Sequence, residues 1–174
     1  MREPQTLQVR FNFHPELCTG CGACITACMD EHDAFPVEAP PLRRLYRTEH
    51  LRKGEVQLTW YSLGCLHCTE HGCMNICPKK CFTADPETGT IQLDNTGCVG
   101  CKACAKACGF EGIVFGDDRK ARKCDGCLER LKEGRLPRCV AACPRHAITI
   151  DDRPALLQKT QESLRKALAR ETLR

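Results

Sequence analysis

The chain has 174 residues, 5% aromatics, seventeen cysteines and a formal charge of +4. That length holds one compact domain or two very small ones. So few aromatics leave an ordinary apolar core thin, and metal or disulfide must supply what side-chain burial does not. Basic residues alternate with acidic ones and no aromatic–basic platform is present, which argues against a nucleic-acid partner.

The start, Met1 to Thr6, has no apolar run behind it and reads as no secretory signal. No stretch approaches the length that spans a bilayer, so direct membrane insertion is not expected. The expected location is cytoplasmic, or wherever a partner carries the chain. In a reducing compartment dense cysteine favours metal over disulfides.

Thr6 to Phe13 alternates apolar with polar residues and predicts a short strand, stopped by Pro15. Cys18, Cys21, Cys24 and Cys28 follow with the spacing C-x2-C-x2-C-x3-C. This is the bacterial-ferredoxin spacing for cubane iron–sulfur clusters, in which three cysteines wrap one cluster and the fourth ligates its neighbour. Gly20 and Gly22 lie between these ligands, where glycine lets N–H groups approach sulfur. Met29 to Tyr46 reads as a linker, because Pro36, Pro40 and Pro41 exclude a long helix. Leu42 to Arg47 follows as an extended segment, in which Arg43 and Arg44 read as solvated charge, with a partner contact or a cover over a cluster as the alternative.

Val56 to Leu63 predicts a second strand, with Trp60 and Tyr61 as packing residues. Cys65, Cys68, Cys73 and Cys77 then form a second quartet, C-x2-C-x4-C-x3-C, closed by Pro78. His67 and His71 lie inside it; four cysteines already saturate a site, so both histidines read as surface or supporting residues. Cys81 is the seventeenth cysteine and reads as a small buried thiol without a metal. Asp85 to Gly89 is a turn and Thr90 to Leu93 a strand.

Cys98, Cys101, Cys104 and Cys108 repeat the spacing of the first quartet, and Ile113 to Phe115 is another tiny strand. Gly116 to Lys123 is polar, with Lys123 abutting Cys124. The fourth quartet is Cys124, Cys127, Cys139 and Cys143, with eleven residues between its second and third members. Those eleven contain a helical turn from Leu128 to Gly134. Ala147 to Ile150 returns the quartet–turn–strand pattern as an internal repeat. Pro154 to Leu173 predicts a C-terminal helix with a partial apolar stripe.

Sixteen cysteines in four quartets match the ligand requirement of four [4Fe-4S] clusters. Zinc is the plainer alternative, since C-x2-C pairs also make zinc knuckles in a structural, cysteine-rich binding module. Three cysteines at i, i+3 and i+6, with a fourth after a constant gap, fit zinc poorly. Each cluster with its thiolates carries about −2, which turns the formal +4 into roughly −4 and gives nearby Lys and Arg a local role. No nucleophile–base pair, nucleotide loop or open coordination position stands out, so the chain by itself is expected to be non-catalytic.

The four spacings, together with Arg44-Leu45-Tyr46, Cys65-Leu66-His67-Cys68, Lys123 to Cys127 and Glu133 to Pro144, resemble the four-cluster electron-transfer subunits of molybdopterin oxidoreductases of the dimethyl sulfoxide reductase type. The likeness covers about residues 8 to 152. It implies an α+β fold of tandem, pseudo-symmetric ferredoxin-like modules, with short strands and helices around four cubanes. Residues 1–59 plus 110–152 would hold quartets one and four, residues 60–109 quartets two and three, and 153–174 the terminal helix.

Carried over residue by residue, Cys18, Cys21 and Cys24 would share a cluster with Cys143, and Cys124, Cys127 and Cys139 with Cys28. Cys65, Cys68 and Cys73 would share one with Cys108, and Cys98, Cys101 and Cys104 with Cys77. The function implied is a relay of single electrons to or from a molybdenum or tungsten pterin subunit, with a membrane anchor subunit as a further partner. The rival reading is a relay subunit of a hydrogenase or formate-linked complex, or a free polyferredoxin. Gly109 after Cys108 and Cys81 after Cys77 depart from the family pattern without changing the ligand count.

Overall fold

A computed structural model of the chain describes residues 9–32, 40–68 and 70–151. The predicted C-terminal helix, Pro36 and the start of the first predicted strand lie outside the described residues. Among the described residues, four two-stranded antiparallel ribbons, five short α-helices and one 3-10 turn (Pro15–Leu17) make up the fold. Each ribbon is too small to be stable alone, so what holds them is the packing around the cysteines.

Strand β1 (Phe11–Phe13) pairs with β8 (Ile148–Ile150), bringing the two ends of the described chain together. Helix α1 (Ala23–Glu31) starts at Gly22, whose φ of 77° only glycine adopts without strain. It runs on through Met29 to Glu31, where the prolines further along had suggested linker. Cys24 and Cys28, four apart, share its buried face, and the helix packs on α5 (Arg138–Ala141). Asp30 and Glu31 meet Arg138, and Glu31 also meets Arg130, across this contact.

Strands β2 (Arg44–Arg52) and β3 (Glu55–Leu63) form a nine-residue hairpin. Its two turn residues, Lys53 and Gly54, both have positive φ, the twist that a tight hairpin needs. The extended stretch expected at Leu42 to Arg47 is the start of a much longer strand. Strands β4 (Phe82–Ala84) and β5 (Ile91–Leu93) pair around the Asp85 turn, where Asp85 accepts the N–H of Thr88 at 2.8 Å. Strands β6 (Ile113–Phe115) and β7 (Ala121–Lys123) form the last ribbon; β7 lies in the polar segment to which the sequence assigned no strand. The remaining helices are single turns: α2 (Gly72–Asn75), α3 (Ala103–Lys106) and α4 (Leu128–Lys132).

Two apolar cores result. One gathers Val9, Phe11, Cys24, Leu131, Cys139 and Ile148. The other gathers Cys81, Phe82, Ile91, Cys104, Ile113 and Ala121. Ile113 and Ala121 thus pack with the second core, whereas the sequence pattern grouped residues 110–152 with the first. The cause is β6, whose buried Ile113 reaches the core of the preceding ribbon.

Candidate metal centres

The cysteine loops share one local geometry. The third residue of the first C-x2-C unit in each quartet is left-handed: Gly20, His67, Gly100 and Gly126 have φ between 51° and 80°. This turns the chain sharply between two sulfurs. At Gly100 the turn also brings the backbone against Arg119, whose carbonyl oxygen would lie 2.6 Å from a Cβ. Trp60 lies where a Cβ on Gly20 would be, so its ring closes over the first loop.

A second device follows the last cysteine of three quartets. Lys80, Glu111 and His146, each three residues on, are left-handed. The next N–H then points back at sulfur: Cys81 to Cys77 at 3.4 Å, Gly112 to Cys108 at 3.3 Å and Ala147 to Cys143 at 3.2 Å. Further N–H donors face sulfur from Gly126 to Cys124 at 3.3 Å, Arg138 to Cys127 at 3.4 Å and Ala121 to Cys98 at 3.5 Å. Such donors suit thiolates that carry negative charge in a metal site.

Three cavities are lined by the cysteines that the family likeness groups. Cys18, Cys21, Cys24 and Cys143 line one, site one. Cys65, Cys68, Cys73 and Cys108 line another, site three. Cys77, Cys98, Cys101 and Cys104 line a third, site four, and buried Cys81 lies on the same wall. Cys28, Cys124, Cys127 and Cys139, site two, are all buried. Burial, then the proximity of Cys139, pushes the Cys28 thiol up to about 12. Burial also pushes Cys127 up to about 12, with Cys139, Asp125 and Cys28 adding to it.

Neighbouring sites touch electrostatically. Burial, and after it the charge of Cys65 in site three, raises Cys124. Burial raises Cys139, and Cys24 of site one adds to the shift while Arg43 opposes it. Burial raises Cys104 to about 11, with Cys101 and Cys77 adding to it. Bare thiols in such places stay protonated, and a cationic iron core is what makes their ionised form favourable. Four soft donors per site, with N–H groups aimed at several of the sulfurs, fit an iron–sulfur cluster.

Three polar side chains lie deeper than their sequence positions required. Arg43, read as solvated, is 3% exposed. Lys123 is 7% exposed and donates to the carbonyl oxygens of Ile91 and Cys124. His67 is fully buried, and its Nδ1 accepts the N–H of Ile91 at 2.9 Å. Burial, then the charges of Lys123 and Arg10, hold its imidazole neutral. His71 Nε2 is buried without a partner beside site three. Isolated basic residues gave no sign of burial; Lys123 beside a ligand was the one available signal.

The 4Fe-4S dicluster domain model matches residues 56–153, and the 4Fe-4S binding domain model matches residues 11–28. The chain belongs to the 4Fe-4S dicluster family. One component of the anaerobic dimethyl sulfoxide reductase of Escherichia coli K12 is 32% identical to it over 152 residues, covering 82% of this chain and 73% of the relative. One component of the sulfite dehydrogenase of Allochromatium vinosum is 29% identical over 156 residues, 78% of this chain and 65% of that one. The hydrogenase-2 operon protein HybA of Escherichia coli O157:H7 is 27% identical over 175 residues, 85% and 53%. This dicluster chain is an iron–sulfur electron-transfer protein whose cofactors are four [4Fe-4S] clusters. Among its described residues no helix is long and apolar enough to cross a membrane.

Proposed function

We propose that the chain relays single electrons to or from a molybdenum or tungsten pterin catalytic subunit, through sites one to four in that order. A [4Fe-4S] cluster supplies reversible one-electron transfer. The residues that would hold the clusters are Cys18, Cys21, Cys24 and Cys143 at site one, and Cys124, Cys127, Cys139 and Cys28 at site two. Cys65, Cys68, Cys73 and Cys108 would serve site three, and Cys98, Cys101, Cys104 and Cys77 site four. The observation that carries the reading is that three cavities are each lined by four cysteines of the grouping, with the other four cysteines buried. Exposed Cys21 and Cys101 give sites one and four an edge toward solvent.

The chain's own groups exclude water from site two, present N–H donors to sulfur, and hold the loops at fixed turns. No catalytic acid or base belongs to this account, and the chain by itself is non-catalytic. The two cores support two ferredoxin-like modules in pseudo-symmetric array, one built on sites one and two and the other on sites three and four. Ile113 and Ala121 favour a module boundary near Lys123. The location follows the partner, cytoplasmic or beside a membrane anchor subunit.

The likeness to the dimethyl sulfoxide reductase component favours the pterin partner, and HybA keeps a hydrogenase partner as the rival. Purification from native cells, with identification of the co-purifying large subunit, separates them. A pterin-binding subunit is expected. A nickel–iron or iron-only hydrogenase subunit in its place would overturn the assignment.

A further inference from the structure

Two cations are buried where neighbouring sites meet. The Arg43 guanidinium donates to Ser62 O at 3.0 Å and to Ser62 Oγ at 3.2 Å. Ser62 Oγ in turn lies 3.2 Å from Cys24 Sγ, in site one. The Arg43 charge also acts on Cys139, in site two. Gly64 lets the backbone close on it; a Cβ there would stand 3.3 Å from Nη2. Lys123 occupies the next junction. Its ammonium is held by the carbonyls of Ile91 and Cys124, and its charge acts on Cys124 of site two and Cys73 of site three.

The described residues place no carboxylate in ion-pair range of either cation. A buried charge without a partner is costly. Its natural partner here is the negative charge of a thiolate-bound cluster, about −2 per site. A fixed cation in a poorly screened interior stabilises the reduced, more negative state and so raises the potential. Site four has neither cation on its wall.

We propose that Arg43 and Lys123 are redox-tuning cations stationed between sites, Arg43 shared by sites one and two and Lys123 by sites two and three. Site two is then raised by both. The inference rests on the four-site reading above. It also gives the two residues a separable signature, because their effects overlap at one site only.

The test uses the full chain, prepared anaerobically, with iron and sulfide counted before each titration. Cluster potentials are followed by electron paramagnetic resonance, each signal being assigned through one ligand substitution per site. Arg43→Gln should shift sites one and two to lower potential, and Lys123→Gln sites two and three. Site four should stay put in both. Arg43→Lys and Lys123→Arg, which keep the charge, should stay near the parent. Unmoved potentials in a fully loaded neutral variant would overturn the proposal, as would equal shifts at all four sites or in the charge-keeping variants. Neutral variants that both come out short of iron would overturn it too, since the cations would then serve assembly. A parent chain without four clusters would instead sink the four-site reading.

Discussion

His67 occupies a backbone position that the other three quartets give to glycine in their first C-x2-C unit, with a φ of 51°. A non-glycine residue there costs of order 1–3 kcal/mol, and the side chain offsets it by accepting the buried N–H of Ile91. Its ring also packs 5.6 Å from Phe11, which ties β5 to the first core. His67→Ala should keep the strain, orphan the N–H and lose the ring contact, for a combined loss of about 2–4 kcal/mol. His67→Asn tolerates the left-handed turn and retains an acceptor, and should be the milder change. Anaerobic thermal unfolding of both variants checks the order; equal melting temperatures would show that the hydrogen bond contributes nothing. The sequence left a histidine between saturated ligands as either a surface or a supporting residue. The burial comes from Ile91 and Phe11, distant in the chain, and no spacing rule reports it.

The hairpin β2–β3 is the element whose purpose spacing alone left open. Its first strand reads as polar, because most of its side chains are half-buried or exposed. The strand nevertheless holds a cluster loop in place. Arg44 pairs with Glu111 and donates to its carbonyl oxygen, and Tyr46 donates to Glu111 Oε2 at 2.6 Å. Glu111 is the left-handed residue that aims the Gly112 N–H at Cys108. Glu111→Ala should therefore loosen the segment after Cys108 more than it lowers stability, since exposed ion pairs contribute about 0–1 kcal/mol. Hydrogen exchange by mass spectrometry should speed up in the peptide containing Gly112, with the peptide containing Ala147 unchanged. Equal protection of the first peptide in both proteins would remove the hairpin from this role. The strand β7 was hidden for a related reason. Lys123 stood beside a ligand in the sequence, but its ammonium also reaches the carbonyl of Ile91, which only the folded chain brings near.

Across the whole molecule the cysteine chemistry was legible and the packing was not. Spacings of two residues are local, so the cysteine runs were readable from the chain, whereas the crossed fourth ligand came only with the family likeness; Arg43, Lys123 and His67 gain their neighbours only on folding. The same division says what holds the molecule together. Both apolar cores contain proposed ligands, Cys24 and Cys139 in one, Cys104 in the other with Cys73, Cys77 and Cys98 packed against it. The ribbons around them are three residues long, apart from the β2–β3 hairpin. Removing iron therefore takes away the centres about which the small strands pack, and leaves Arg43 and Lys123 buried without compensating charge. Domains of this size with thin cores depend on such staples, and metal-binding free energy becomes folding free energy. Anaerobic chelation at neutral pH should abolish the cooperative thermal transition and expand the chain in size-exclusion and scattering measurements. Iron and sulfide added back should restore both, with about sixteen atoms of each per chain. An iron-free chain that stayed compact and melted cooperatively would mean that side-chain packing alone sustains the fold. The clusters would then be passengers in a preformed scaffold.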